Sequence, residues 1–382
     1  MTMTAPPWGA RARGLADRLF GDGVLRDPAW RTALEGTPRH VFVPSFYRQE
    51  HDAGWAEIGS DQPAWLDAVY SDLTLVTALG GGPLVPVSSA IRPGLLVSML
   101  EALDVRDGHR VLEIGTGTGF SAAILCHRLG ADSVFSVDIS ADVVEAARER
   151  LAGLGHAPTL TVGHGALGLP GREPYDRVMA TCSVPAVPWA WAEQVALGGQ
   201  VLVDVKPGFR AGSLVLLRRY EDRLEGRFLP EWAAFGAMRD ADSAPRREVR
   251  PSYAHEGAIA STRLEPRFDD LRVPWFLAHS VLPQVAAFGS RGEDEPEWVT
   301  FAARDGSWCE VRSHPDDNGL RRVRQGGPIR IWDRFERAHR QWKALGEPGW
   351  DRLGLTVTSD GFHRVWLDHP DGEYRWPLRP HD

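Results

Sequence analysis

Two helix-like stretches open the chain, RARGLADRLF (11–20) and residues 28–35, with apolar positions three and four apart. TPRHVFVP (37–44) interrupts that spacing with prolines near either end. A loop-rich stretch with GGGP at 80–83 follows, then an apolar helix, GLLVSMLEAL (94–103). From residue 110 the pattern becomes a regular alternation of strand and helix. RVLEI reads as a short buried strand, and FSAAILCHRLG as a helix stopped by Gly130. SVFSVDIS and ADVVEAARERLAGLG repeat the pair, with Gly155 ending the second helix. TLTVGHG, YDRVMATCS and GGQVLVDV supply further strands, and GSLVLLRRYEDRLEGRFLP (212–230) a closing hairpin. Such alternation predicts an α/β fold with a mostly parallel sheet covered on both faces.

Beyond RDADSAPRREVRPS (239–252), a polar segment taken as a boundary, the pattern changes. VPWFLAHSVLP and EWVTFAA flank an acidic loop, GSRGEDEPE (289–297). IRIWDRFERAHRQWKAL (329–345) is an amphipathic helix with Ile331, Phe335, Ala338 and Trp342 on one face. GLTVTSDGFHRVWLDHPDG is a hairpin turning at Asp360-Gly361. The chain thus divides into an N-terminal helical region and loop (1–93), an α/β domain (94–238) and a tryptophan-rich α+β extension (239–382).

Composition narrows the partners. A net charge of −8 over 382 residues argues against nucleic acid or an anionic membrane. Three scattered cysteines form neither a disulfide framework nor a zinc pattern. No stretch approaches the ~20 apolar residues of a membrane span, and the N-terminus lacks an apolar signal region. The expectation is a cytoplasmic protein.

The candidate chemistry begins at VLEIGTGTGF (111–120). The strand ends at Ile114, and Gly115, Gly117 and Gly119 lead into a helix. Glycines there allow a tight turn and a close approach of backbone to ligand. The spacing differs from the G-x-G-x-x-G that seats a pyrophosphate. Glu113 before the run and Asp138, with Ile139, after the second strand place two carboxylates beside it. A ligand with a cationic amino-acid part and a ribose diol suits that pair, so S-adenosylmethionine fits better than a dinucleotide. A tight turn without ligand would use the same glycines; Asp138 favours the donor site.

Several stretches together resemble the protein-L-isoaspartate O-methyltransferase family: FGDGVLRDPAWRTALEGTPRHVFVP (20–44), VYSDLTLV (69–76), VLEIGTGTGF and LPGREPYDRVMATCSVPAVPWAWAEQVALGGQVLVDV (169–205). The resemblance spans residues 11 to 237. It implies a seven-stranded, Rossmann-like methyltransferase sheet, S-adenosylmethionine as donor and S-adenosylhomocysteine as product. The implied acceptor is an aspartyl or isoaspartyl carboxylate of a peptide or protein. It places the donor against Glu113, Gly115, Thr116, Gly117, Gly119, Phe120, Asp138, Ile139, His164, Gly165 and Ala166. Thr181, Cys182 and Ser183 are then expected beside the methyl group. A carboxylate is already a nucleophile at neutral pH, so alignment and exclusion of water suffice and no general base is expected. Cys182 reads as a core thiol, since nothing near it in sequence would lower its pKa.

Three departures point to a changed acceptor. The family's substrate loop has a serine two residues before a proline; here VSSAIRP puts Ile91 there, with Ser88 and Ser89 just upstream. The family's G-D-G reads Gly163-His164-Gly165, and His164 either meets the adenine or is a solvated loop residue. The family's repair enzymes are single domains, while this chain adds nearly 150 residues carrying Trp332, Trp342, Trp350, Trp366 and Trp376. Those rings are candidate peptide anchors or core. Extended relatives of this kind resemble methyltransferases of ribosomal-peptide maturation, in lanthipeptide and graspetide pathways. The leading expectation is therefore esterification of an aspartate in a modified precursor peptide, leading to aspartimide, from which isoaspartate can form. The alternatives are general isoaspartyl repair, a non-catalytic peptide-binding protein with this fold, and small-molecule O-methylation.

Overall fold

Val111–Ile114 is buried at every position and has a parallel neighbour on each side, Val134–Asp138 and Tyr175–Val184. Such a central strand has no solvent-facing side, as parallel sheets covered by helices require. The computed structural model describes residues 7–50, 54–81, 84–239, 257–267, 271–282, 285–291 and 297–378. Thr159–Val162 continues the sheet beyond Val134–Asp138, and Val195–Gly208 pairs in parallel with Tyr175–Val184. The hairpin Ala211–Arg219 and Arg223–Phe228 completes seven strands. Alternate residues of each strand feed opposite faces. Met179 and Leu202 join one apolar cluster under the helices Pro93–Ala102 and Phe120–Leu129, while Val178, Ala180, Val201 and Val203 join the other.

The chain passes from Val111–Ile114 outward to Thr159–Val162, then crosses back to Tyr175–Val184 on the other side of the first strand. That reversal makes a crevice at the carboxyl ends of the two strands, where open α/β sheets bind ligands.

Two regions differ from the expected pattern. The loop-rich stretch before residue 90 is an antiparallel four-stranded sheet of Ser45–Glu50, Gly54–Gly59, Leu75–Gly80 and Val85–Ala90, although residues 82–83 of GGGP lie outside the described residues. It buries only a small cluster built on Phe46, Ile58, Leu75 and Ala90, so its alternation is weak in the sequence. TPRHVFVP contains a one-turn helix, Arg39–Phe42.

The second difference lies beyond residue 257. Five antiparallel strands from Ala258 to Gly326 form a separate sheet, packed with the helices Arg272–Ala278 and Ile331–Ala344. The predicted face of the second helix is buried at Ile331, Phe335, Ala338 and Trp342. The chain then returns to the first sheet: Leu353–Thr358 pairs with Arg223–Phe228, followed by His363–Leu367 and Arg375–Leu378. The seven strands become ten. Segment 240–256, with most of the polar boundary, is outside the described residues.

The tryptophans are core. Trp332, Trp342, Trp366 and Trp376 are all buried. Trp350 packs its ring against Phe228 and Phe276, with centroids 5.4 and 5.2 Å away. Of the two readings of these rings, peptide anchors or core, their burial favours core.

Candidate active site

Gly115, Gly117 and Gly119 all have positive φ, at 99°, 52° and 87°. Gly115 has a second reason to lack a side chain, since a Cβ there would lie 2.5 Å from Thr181 Oγ1. That hydroxyl donates to Gly115 O at 2.8 Å and ties the donor loop to the neighbouring strand across the crevice. Asp138 holds the loop from the other side, accepting from Gly117 N–H and Ser140 N–H, both at 3.1 Å. The half-exposed carboxylate stays on the rim. Ile139 follows it there. His164 Nδ1 accepts from Ala166 N–H at 3.1 Å and caps the turn Gly165–Leu167, whose buried Gly165 receives the Trp191 indole N–H at 2.8 Å. Phe120 starts the helix after the glycines and is buried.

Glu113 departs from expectation. Strand alternation turns it beneath helix Phe120–Leu129, fully buried, where it accepts from Ser121 Oγ and from Ser136 Oγ at 2.7 Å. It therefore props the loop from inside and does not face the cleft. Burial pushes its carboxyl up to about 7, against the two hydroxyl donors. A folded pKa above the unfolded value means that folding takes up a proton. The corresponding stability is full below about pH 4.5 and is lost as pH rises through about 7, a difference of roughly 3 kcal/mol. Glu113→Gln should remove this component. Urea unfolding near about pH 5 and about pH 8 should show a smaller drop for the variant than for the wild type.

One cleft gathers the remaining parts. Gly115, Thr116, Gly117, Thr118, Ser121 and Thr181 form its donor-loop side. Thr74, Ser89, Ile91 and Leu95 form the opposite wall, and Ala234 with Phe235 a third. Ser89, Ile91 and Thr181 thus line the same cleft as the glycine run. Ser88 does not; on the next strand position it accepts from Thr77 Oγ1 at 3.1 Å within the small sheet. Cys182 and Ser183 do not either. Cys182 packs into the apolar cluster, where burial pushes its thiol up to about 12, consistent with a core role. Ser183 is zipped to the segment after Phe228: its N–H donates to Gly236 O, and it accepts from Met238 N–H, each at 2.8 Å.

That returning segment went unread in the sequence. Lys206 Nζ donates to Ala233 O at 2.8 Å and Phe235 O at 3.1 Å, and pairs with buried Asp204 at 2.7 Å. Burial raises the Asp204 carboxyl to about 6 despite the ammonium. A same-face Asp and Lys in the apolar run VLVDVKP was the available signal. Among the described residues, no three His, Cys, Asp or Glu side chains group as metal ligands, and no helix is long and apolar enough to cross a membrane.

Residues 10–228 match the family model described as Protein-L-isoaspartate(D-aspartate) O-methyltransferase (PCMT). The chain belongs to this family. A protein-L-isoaspartate O-methyltransferase of Methylorubrum populi is 35% identical over 218 residues, covering 57% of this chain and 90% of the relative. Another, from Pelobacter propionicus, is 32% identical, with 54% and 79% coverage. A solved protein-L-isoaspartate O-methyltransferase shares the fold at a TM-score of 0.56 and 22% identity. That match covers 93% of this chain and 99% of the other. The family model ends at residue 228 of 382, so a match over 93% of the chain reaches well beyond it.

Proposed function

We propose that this protein is an S-adenosylmethionine-dependent O-methyltransferase that esterifies isoaspartyl carboxylates in peptides and proteins. One observation carries the reading: the donor loop and the wall bearing Ser89 and Ile91 line a single cleft, with Thr181 between them. The Gly115–Gly117 backbone would hold the methionine part of the donor, Asp138 the ribose diol, and Ile139 with His164–Ala166 the adenine. The donor supplies an electrophilic sulfonium methyl. The chain's own residues align an ionised acceptor carboxylate with it and exclude water; no side chain need take a proton. A carboxylate oxygen gains the methyl as the carbon–sulfur bond breaks, giving the ester and S-adenosylhomocysteine.

The test uses two peptides differing only in aspartate or isoaspartate, with methyl ester formation followed by mass. Ester on the isoaspartyl peptide alone is expected. A second reading, esterification of an aspartate in a modified precursor peptide on the way to aspartimide, is favoured by Ile91 at the position of the family's serine. Efficient ester formation on a constrained aspartyl precursor, with none on the short isoaspartyl peptide, would replace the first reading by the second. Under the first reading Ile91→Ser should raise kcat/KM for the isoaspartyl peptide about tenfold, the worth of one charge-assisted hydrogen bond. An unchanged value would return that task to Ser89.

A further inference from the structure

Arg39 is a cation only 1% exposed, seated at the start of the one-turn helix and outside the cleft lining. Its Nη1 donates to Val69 O at 2.7 Å and Ser71 O at 3.0 Å; its Nη2 donates to Leu73 O at 3.0 Å and Ile91 O at 2.9 Å. Val69–Leu73 leads directly into Thr74, and Ile91 lies two residues after Ser89, so the four carbonyls belong to the stretches that supply Thr74, Ser89 and Ile91 to the cleft. The guanidinium carbon also lies 5.5 Å from the centroid of Phe120, the first residue after the glycine run. One planar group thus links the backbone beside that wall to the residue that follows the glycine run. Asp72 sits among the acceptors and supplies the nearest negative field, while its Oδ1 accepts from Gly94 N–H at 2.6 Å at the start of helix Pro93–Ala102. Burial draws the guanidinium down to about 10, which leaves it charged at neutral pH.

We infer that Arg39 is a positioning residue that sets the acceptor wall, Thr74 with Ser89 and Ile91, at a fixed distance from the donor loop through four backbone carbonyls and the Phe120 ring. Naming that wall as the acceptor's rests on the proposed function; the clamp itself does not. Four donors in one plane are what a guanidinium offers and an ammonium cannot, so lysine is a poor replacement.

Hydrogen exchange on Arg39→Lys, beside calorimetric donor affinity and steady-state kinetics on the isoaspartyl peptide, tests this. Exchange should quicken about tenfold in residues 70–76 and 87–92, the loss of about one or two net hydrogen bonds, with Phe120–Leu129 unchanged. Donor affinity should hold while KM for the peptide rises about tenfold and kcat falls less. A general core role would instead quicken Phe120–Leu129 equally and weaken donor binding, which overturns the inference, as does unaltered exchange in both segments. If Arg39→Lys does not fold, Asp72→Asn keeps an acceptor for Gly94 N–H, removes the negative charge near the guanidinium and must show the same segmental pattern, with Arg92→Gln as the control for the lost Arg92 pair at 3.7 Å. Should the wild type fail to esterify isoaspartate, the proposed function falls, and the exchange pattern still decides the role of Arg39.

Discussion

Gly115→Ala is expected to weaken S-adenosylmethionine binding by roughly a hundredfold while leaving the chain folded, measured by calorimetry on the purified variant. The φ of 99° is one that a residue with a side chain adopts only under strain, of order 1–3 kcal/mol. The added methyl would also stand 2.5 Å from Thr181 Oγ1, with the bonds of that hydroxyl to Gly115 O and Ile114 O in the way of any retreat. Loop and strand must therefore part at the point where the donor is proposed to lie. Gly130→Ala is the control: its φ is also positive, at 80°, but a Cβ there meets nothing within 4 Å. It should cost stability at the helix end and leave donor affinity untouched. Equal effects of the two variants on affinity would remove Gly115 from the donor site.

Trp332→Ala is expected to destabilise the protein by roughly 3–5 kcal/mol in urea, the range for deleting a large buried ring. Its ring is 1% exposed and stands 5.0 Å from Phe335 and 6.3 Å from Phe301, centroid to centroid. Donor affinity should not change, because this cluster lies in the second sheet, apart from the glycine run. An exposed anchor for a peptide would behave oppositely, raising KM with stability intact. The same logic extends to Trp366 and Trp376, which sit in strands added to the first sheet.

The sequence by itself determined what short-range chemistry encodes. A strand ending in Ile114, three glycines and a helix stopped at Gly130 follow from local dihedral preference and apolar spacing, and they identified the donor loop and the α/β alternation. The helix face from Ile331 to Trp342 was readable for the same reason. The three-dimensional fold decided what depends on contacts between distant residues. Glu113 faces inward because strand register, not composition, chooses which side of a strand meets a helix. Cys182 leaves the cleft by the same two-residue alternation, opposite Thr181, whereas Ser183 is taken up by backbone bonds to the distant Gly236 and Met238. The ten-strand sheet exists because Leu353–Thr358 finds Arg223–Phe228 more than a hundred positions away. Arg39, unremarkable in TPRHVFVP, acquires its role from carbonyls 30 to 52 residues distant. No periodicity marks such partners, since a backbone carbonyl is the same in every residue and only packing brings it within reach.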